Sequence, residues 1–196
     1  MVWNNLGKLN KRPIAFTDLE TSGDVFAEHE ILEIGLIVAS QANFEIFETL
    51  NIKVKPLHIE NAVSAALERK GYKPENWKEA VSLAEAMKIY GAKTKGAMFC
   101  AYNATFDWGF INNAFYTTGI KDEMDYHRLD LLSIAWERGM KEKDKWSLKT
   151  ACEMFGVSPE PDPHTALNGA MTAYELFKKL ASAVIIHFAR TFFEKN

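Results

Sequence analysis

The order of the apolar segments constrains this chain more than any single motif. Three strand-like runs come first: PIAFTD (13–18), EILEIGLIVAS (30–40) and FEIFETLNIKVKP (44–56). Only the short loops TSGDVFAEH and QAN lie between them, which predicts an antiparallel meander. In the third run Phe44 and Ile46 alternate with Glu45 and Glu48, a partly strand-like pattern. After that meander the chain changes character, and strands alternate with helices.

The second part reads as follows. NAVSAALERKG (61–71) is a predicted helix that stops at Gly71. PENWKEAVSLAEAMKIYGA (74–92) is predicted as one helix, because Trp77, Ala80, Val81, Ala84 and Met87 share a stripe. GAMFCAY (96–102) is a buried strand leading into the helix TFDWGFINNAFYTTG (105–119). DYHRLD (125–130) is a short strand, followed by the helices LLSIAWERGM and SLKTACEMFG (147–156). A long helix is predicted from about residue 164 toward 194. Three meander strands followed by strand–helix alternation imply an α/β sheet of about five strands, partly antiparallel, with helices packed on it. Residues 1–12 are polar and read as an N-terminal arm, and 13–196 read as a single domain.

Composition narrows the function classes. A net charge of -3 argues against a broad basic surface that wraps nucleic acid, although a protein that grips only a strand end is compatible with it. The two cysteines, Cys100 and Cys152, sit among apolar residues and offer neither a disulfide framework nor zinc spacing. Buried thiols and a cytoplasmic, reducing location fit them. The N-terminus lacks the apolar core of a secretory signal. The tail segment LASAVIIHFARTFF is interrupted by His187 and Arg190 and is too short to span a bilayer, so no membrane partner is expected. Its stripe of Ile185, Ile186, Phe188, Phe192 and Phe193 either packs on the domain or joins two copies as a homodimer.

The chemistry is carried by carboxylates. FTDLETSG places Asp18 and Glu20 two residues apart on a strand, hence on one face. Their charges repel, and burying them together is costly unless cations intervene. An oxygen-only donor set suits Mg²⁺ or Mn²⁺. Alone, the pair also describes a solvated strand end. CAYNATFDWGFIN adds Asp107 in the first turn of a helix, with Asn103 and Thr105 placed to cap or order the preceding loop. By itself, Asp107 also does no more than complement a helix dipole. In PDPHTALNGAMTAYELF, Asp162 can cap the last helix, Pro163 can take its first position, and His164 follows. A histidine at a helix start can act as a general base; a surface histidine after a proline is the plainer reading.

Together the segments FTDLETSG, YNATFDWGFI, RLDLLSIAWE, WSLKTACEMFGV and PHTALNGAMTAYELF resemble, in order, the motifs of the DEDDh branch of the DEDD exonucleases. That DnaQ-like group includes the proofreading subunit of bacterial DNA polymerase III, ribonuclease T and oligoribonuclease. The resemblance covers roughly residues 13–178. It implies a ribonuclease H-like fold, a mixed five-stranded sheet flanked by helices. It also implies 3′–5′ removal of nucleotides from a nucleic acid 3′ end, most simply a single-stranded one, with two divalent metal ions, Mg or Mn. Asp18, Glu20 and Asp107 match the metal-binding acids, and His164 matches the general base. Leu19, Thr21, Phe106 and Asn103 match places that help to hold the terminal nucleotide. For Leu19 and Phe106, plain core packing is an equal reading. Trp108 and Trp146 can stack on bases, but core packing is the simpler expectation for both.

One position departs from the family. The fourth acid of this group lies five residues after the histidine, and here that residue is Gly169. Glycine inside a helix also costs about 1 kcal/mol against alanine. Neither Asn168, a neutral oxygen donor, nor Asp162, which has a capping role open to it, is a convincing substitute. Two readings follow: a working, weakened exonuclease, or an inactive exonuclease-fold module that binds nucleic-acid ends or a protein.

Overall fold

The computed structural model describes residues 8–69, 72–162 and 164–193, with side chains described through residue 181 except that of Arg69. Its centre is a five-stranded sheet in the order β3-β2-β1-β4-β5. The strands are β1 (Ile14–Thr21), β2 (Ile31–Ala39), β3 (Ile46–Lys53), β4 (Met98–Ala101) and β5 (Arg128–Asp130). β1 pairs antiparallel with β2 and β2 with β3, forming the expected meander, while β4 joins β1 and β5 joins β4 in parallel. All nine residues of β2 are buried. A strand covered on both faces is largely apolar, and EILEIGLIVAS accordingly shows no alternation, Glu33 being the one charged residue inside β2. The edge strand β3 is only partly buried and does not follow the expected alternation: it begins at Ile46, which is exposed, while Phe47 and Leu50 pack on the core.

The helices are α1 (Ser64–Arg69), α2 (Leu83–Thr94), α3 (Ala104–Thr118), α4 (Leu131–Glu137), α5 (Leu148–Phe155) and α6 (Ala166–Phe193). They cover the two faces of the sheet unequally. On one face Ala15, Leu19, Ile34, Leu36 and Phe99 pack with Met87 and Tyr90 of α2 and with Phe110, Ile111 and Phe115 of α3. On the other, Ile14, Phe16, Ile37 and Cys100 pack with Leu131 of α4 and with Ala170, Ala173 and Tyr174 of α6. Successive residues of β1 therefore serve opposite layers, and Asp18 and Glu20 belong to the α6 side by the same alternation. Cys100 and Cys152 are both buried, and burial raises both thiol pKa values, that of Cys152 to about 11.

Several local expectations are corrected. The helix expected over 74–92 is broken in two: Pro74–Trp77 form one 3-10 turn, and α2 begins only at Leu83. Val81 instead extends the β3 edge, its N–H donating to Lys53 (3.0 Å) and its carbonyl accepting from Lys55 (2.8 Å). Ser82 then caps α2 through Glu85 N–H. A β-branched residue gains a strand partner there, and the periodic stripe gives no sign of it. Trp77, placed by periodicity on a helical face, spends its indole N–H on the Leu32 carbonyl at 3.0 Å. Trp146, expected in the core, is 49% exposed, and its N–H is held by the Lys143 carbonyl. Trp108 does pack as expected, against Phe99 and under the Arg128 guanidinium.

Residues 8–12, assigned to a polar arm, are tied down. Gln41 donates to the carbonyls of Leu9 and Arg12, and Arg12 pairs with the buried Asp125. Gly71, read as a helix stop, and Pro163 lie outside the described residues, as do the side chains of the tail stripe. Among the described residues no helix is long and apolar enough to cross a membrane.

Candidate active site

Asp18 and Glu20 leave β1 on the α6 side of the sheet, near its C-terminal end. Asp18 is half-buried and Glu20 is 3% exposed. Asp18 sits between two glycines. Its cross-strand neighbour is Gly35, and a Cβ at Gly35 would lie 1.9 Å from the Ala166 carbonyl oxygen. Only glycine lets the first turn of α6 lie against the sheet at that point. One turn further along α6, a Cβ on Gly169 would lie 2.3 Å from Asp18 Oδ2. The helix and the carboxylate are thus in contact where the family's fourth acid would project. Gly169, a departure from the resembled motif in sequence, is in space a contact surface for Asp18.

β4 runs parallel to β1, so both strands leave the sheet at the same end. The chain turns from β4 into α3 through Asn103, whose φ of 64° is left-handed. Asn103 occupies the N-cap position, yet its side chain makes no capping bond, contrary to expectation. The first turn is held from outside instead: Asp130, at the end of β5, accepts the Ala104 N–H at 3.0 Å. That turn carries Asp107, 4% exposed. Nearby, the Tyr90 hydroxyl bonds Thr17 Oγ1 at 2.8 Å. Burial above all, then the charges of Asp122 and Asp107, push the Tyr90 pKa well up, so it is a neutral phenol beside the acid.

The last predicted member is placed differently. α6 begins at Ala166, two residues later than expected, and its N-cap is Thr165, whose Oγ1 accepts from Asn168 N–H at 3.2 Å. Asp162, the expected cap, is exposed and stands 3.7 Å from His164 Nε2. Thr165 caps because it adjoins the turn that Gly35 admits, a tertiary constraint that local signals do not carry. His164 itself is 48% exposed, and its Nδ1 lies 3.0 Å from Glu160 Oε2. Of the residues matched to nucleotide contacts, Leu19 is buried in the core on the far face, and Phe106 packs half-buried 5.2 Å from Phe110. Thr21 is buried with its hydroxyl donating to the Gly23 carbonyl at 2.8 Å.

Comparison with known proteins now decides the family. Residues 15–177 match the family model described as exonuclease, of the RNase T type. The chain belongs to the RNase T exonuclease family. A 3′-5′ DNA exonuclease, Cap18, of Escherichia coli is 28% identical over 181 residues, covering 87% of this chain and 92% of that protein. Ribonuclease T of Shewanella frigidimarina (strain NCIMB 400) is 29% identical over 174 residues, covering 82% of this chain and 78% of that protein. In three dimensions the chain is similar to a product-bound exonuclease I, with a TM-score of 0.74 at 16% identity over 95% of this chain. It spans about half of that longer protein, 47%. A complex of E. coli exonuclease I with an oligonucleotide gives a TM-score of 0.73 at 16% identity, covering 95% of this chain and 44% of that one. At these identities the likeness is one of fold: the mixed five-stranded sheet flanked by helices is the ribonuclease H-like architecture of exonuclease I.

Within this RNase T-type fold, two further residues hold the site and were not singled out in the sequence. Glu33 of β2 lies opposite Glu20, buried on the same face. Its Oε2 accepts from the Ala166 N–H (3.3 Å) and its Oε1 from Asn51 Nδ2 (2.7 Å). It anchors the start of α6 to the meander. Asp130 bonds Ala104 N–H while capping α4 through Leu132 and Ser133. Only a buried glutamate inside an otherwise apolar strand, and an aspartate ahead of a helix, could have flagged them.

The donors at this end of the sheet are carboxylate oxygens, which fit a hard divalent cation in kind. Among the described residues no group of three or more His, Cys, Asp or Glu side chains stands ready-made to hold a metal ion. Asp18 and Glu20, on one strand face, are the donors that the fold itself brings side by side.

Proposed function

We propose that the protein is a metal-dependent 3′–5′ exonuclease acting on single-stranded DNA or RNA ends. The observation that carries this reading is the pairing of Asp18 and Glu20 on the α6 face of β1, at the end of the sheet where α3 presents Asp107. Asp18, Glu20 and Asp107 would hold Mg²⁺ or Mn²⁺. Bound there, such ions supply charge neutralisation at the scissile phosphate and lower the pKa of an attacking water. His164 accepts the proton of that water through Nε2. Phe106, at the start of α3, offers a half-buried ring beside the terminal nucleotide, with Leu19, Thr21 and Asn103 as backbone or packing neighbours. The two buried thiols suit a reducing, cytoplasmic setting.

The test is a 3′-protected and a 3′-free labelled oligonucleotide, in DNA and RNA versions, incubated with Mg²⁺ or Mn²⁺. Shortening from the free 3′ end, abolished by EDTA and by Asp18→Asn, is the expected result. No metal-dependent shortening at micromolar enzyme sinks the reading.

Gly169 supports a second reading, an exonuclease fold that binds ends without cutting them. The two readings part at Gly169→Asp. On the exonuclease reading the new side chain drives into Asp18, and activity stays level or falls. A rise of orders of magnitude would identify the natural chain as one that has lost catalysis.

A further inference from the structure

The 156–165 segment carries a half-buried carboxylate, Glu160, that the mechanism above does not use. Glu160 lies between Pro159 and Pro161, whose rings restrict the backbone on both sides. Its side chain is 18% exposed and its Oε2 sits 3.0 Å from His164 Nδ1, whereas the imidazole is 48% exposed. Among the described residues its other oxygen, Oε1, is buried without a hydrogen-bond partner. A carboxylate pays a desolvation cost for such a position, and the histidine is the polar partner that it meets there. We propose that Glu160 is the positioning residue for His164, a role that rests on His164 being the general base.

The physics is that of any buried acid behind an imidazole. A carboxylate only accepts, so the His164 nitrogen facing it must carry the hydrogen. The neutral ring is then held as the Nδ1–H tautomer, and Nε2 keeps its lone pair for the proton of the attacking water. The same 3.0 Å contact limits the rotation of an otherwise exposed ring, which shortens the search for the reacting geometry. Asp162 is the second acid near the ring, but it is exposed and 3.7 Å from Nε2, too far for a hydrogen bond. Among the described residues, further charged or titratable neighbours are Glu175 and Lys179 of α6, across the groove lined by Pro159 and Pro161, and Cys152 and Glu153 of α5. None of these is bonded to the imidazole among the described residues.

The role separates from simple stability by its readouts. ¹⁵N imidazole spectra of the whole chain, with His164 assigned by its substitution, report the tautomer directly at a pH where the ring is neutral. Wild type is expected to show Nδ1–H. Glu160→Ala is expected to release it to Nε2–H or to a mixture, with the melting temperature unchanged. Glu160→Gln, which still offers an acceptor oxygen, is expected to restore Nδ1–H. In oligonucleotide shortening, Glu160→Ala should lower kcat by about 10- to 100-fold with KM changed by less than about twofold, and Glu160→Gln should recover most of that loss. An unchanged tautomer in Glu160→Ala overturns the proposal, as does an equal loss of kcat in both variants. If the tautomer switches as expected while wild type shortens nothing, the positioning stands and the exonuclease reading is what fails.

Discussion

The two halves of the site are built to opposite standards. The sheet half places Asp18 and Glu20 on β1 and Asp107 on α3, with Glu20 and Asp107 buried and the Asp18 carboxylate against Gly169 of α6. The loop half, residues 156–165, presents His164 on the surface, with the Glu160 carboxylate 3.0 Å from the ring. On the proposed exonuclease reading, the difference suits two tasks. Repelling acids that share cations must be held by a scaffold that does not relax, because each is costly to bury alone. A base that collects a proton from water must remain reachable by water, and needs only its orientation set. Rigidity is thus spent where charges are concentrated and withheld where a proton must come and go.

The largest expected effect strikes the sheet half. Gly35→Ala puts a methyl into the Ala166 carbonyl, which is backbone and cannot turn aside. Loss of about 3 kcal/mol or more in urea unfolding is expected, with α6 displaced from the sheet. An unfolding midpoint like that of the natural chain would break the contrast, since α6 would then not depend on that close approach. Next, Asp18→Asn should remove several kcal/mol of transition-state stabilisation, roughly 10³-fold in kcat, with the fold intact by circular dichroism. His164→Ala should fall about 10²- to 10⁴-fold in kcat while its melting curve overlays the parent, because the ring is half in solvent. A large drop in melting temperature would show the loop half to be structural after all.

Gly169→Ala tests the seam between the halves. The helix gains about 1 kcal/mol of propensity, but the methyl displaces the Asp18 carboxylate, 2.3 Å from where it would sit. Stability near that of the parent, together with activity lowered about tenfold, is expected. The smallest effect lies far from the site, where Arg12 and His127 meet Asp125. Burial raises the Asp125 pKa, but the hydrogen bonds of His127 and the charge of Arg12 outweigh it and hold the net value below the ordinary 3.8. A carboxyl with a depressed folded pKa contributes stability that is present above the unfolded value and lost as pH falls through the folded one. Thermal melts should therefore show an extra loss below about pH 4 in the natural chain that Asp125→Asn lacks.

Much of the scaffold was legible because its signals are local. A short, Ile-rich apolar run without alternation, bounded by turn residues, reads as an interior strand, and β2 is buried along its whole length. Asp18 and Glu20 could be assigned to one face by strand geometry alone. The misreadings share a different cause. Val81 joined a strand because Lys53 and Lys55 lay beside it, and α6 started late because Ala166 meets β2. In each case the competing partner was distant in the chain, and no local rule weighs it.

By itself, then, the sequence determined the order of elements, the meander, the shared face of the two leading acids and the family motifs, all of which depend on periodicity and short spacing. Only the tertiary structure decided what surrounds them. Asp18 and Gly169 are 151 positions apart, and Glu33 and Ala166 are 133 apart, yet each pair is in contact. A side chain that is missing in the sequence leaves no mark of its neighbours there; in the folded chain, Gly169 is the place where the helix comes close enough for Asp18 to lie against it.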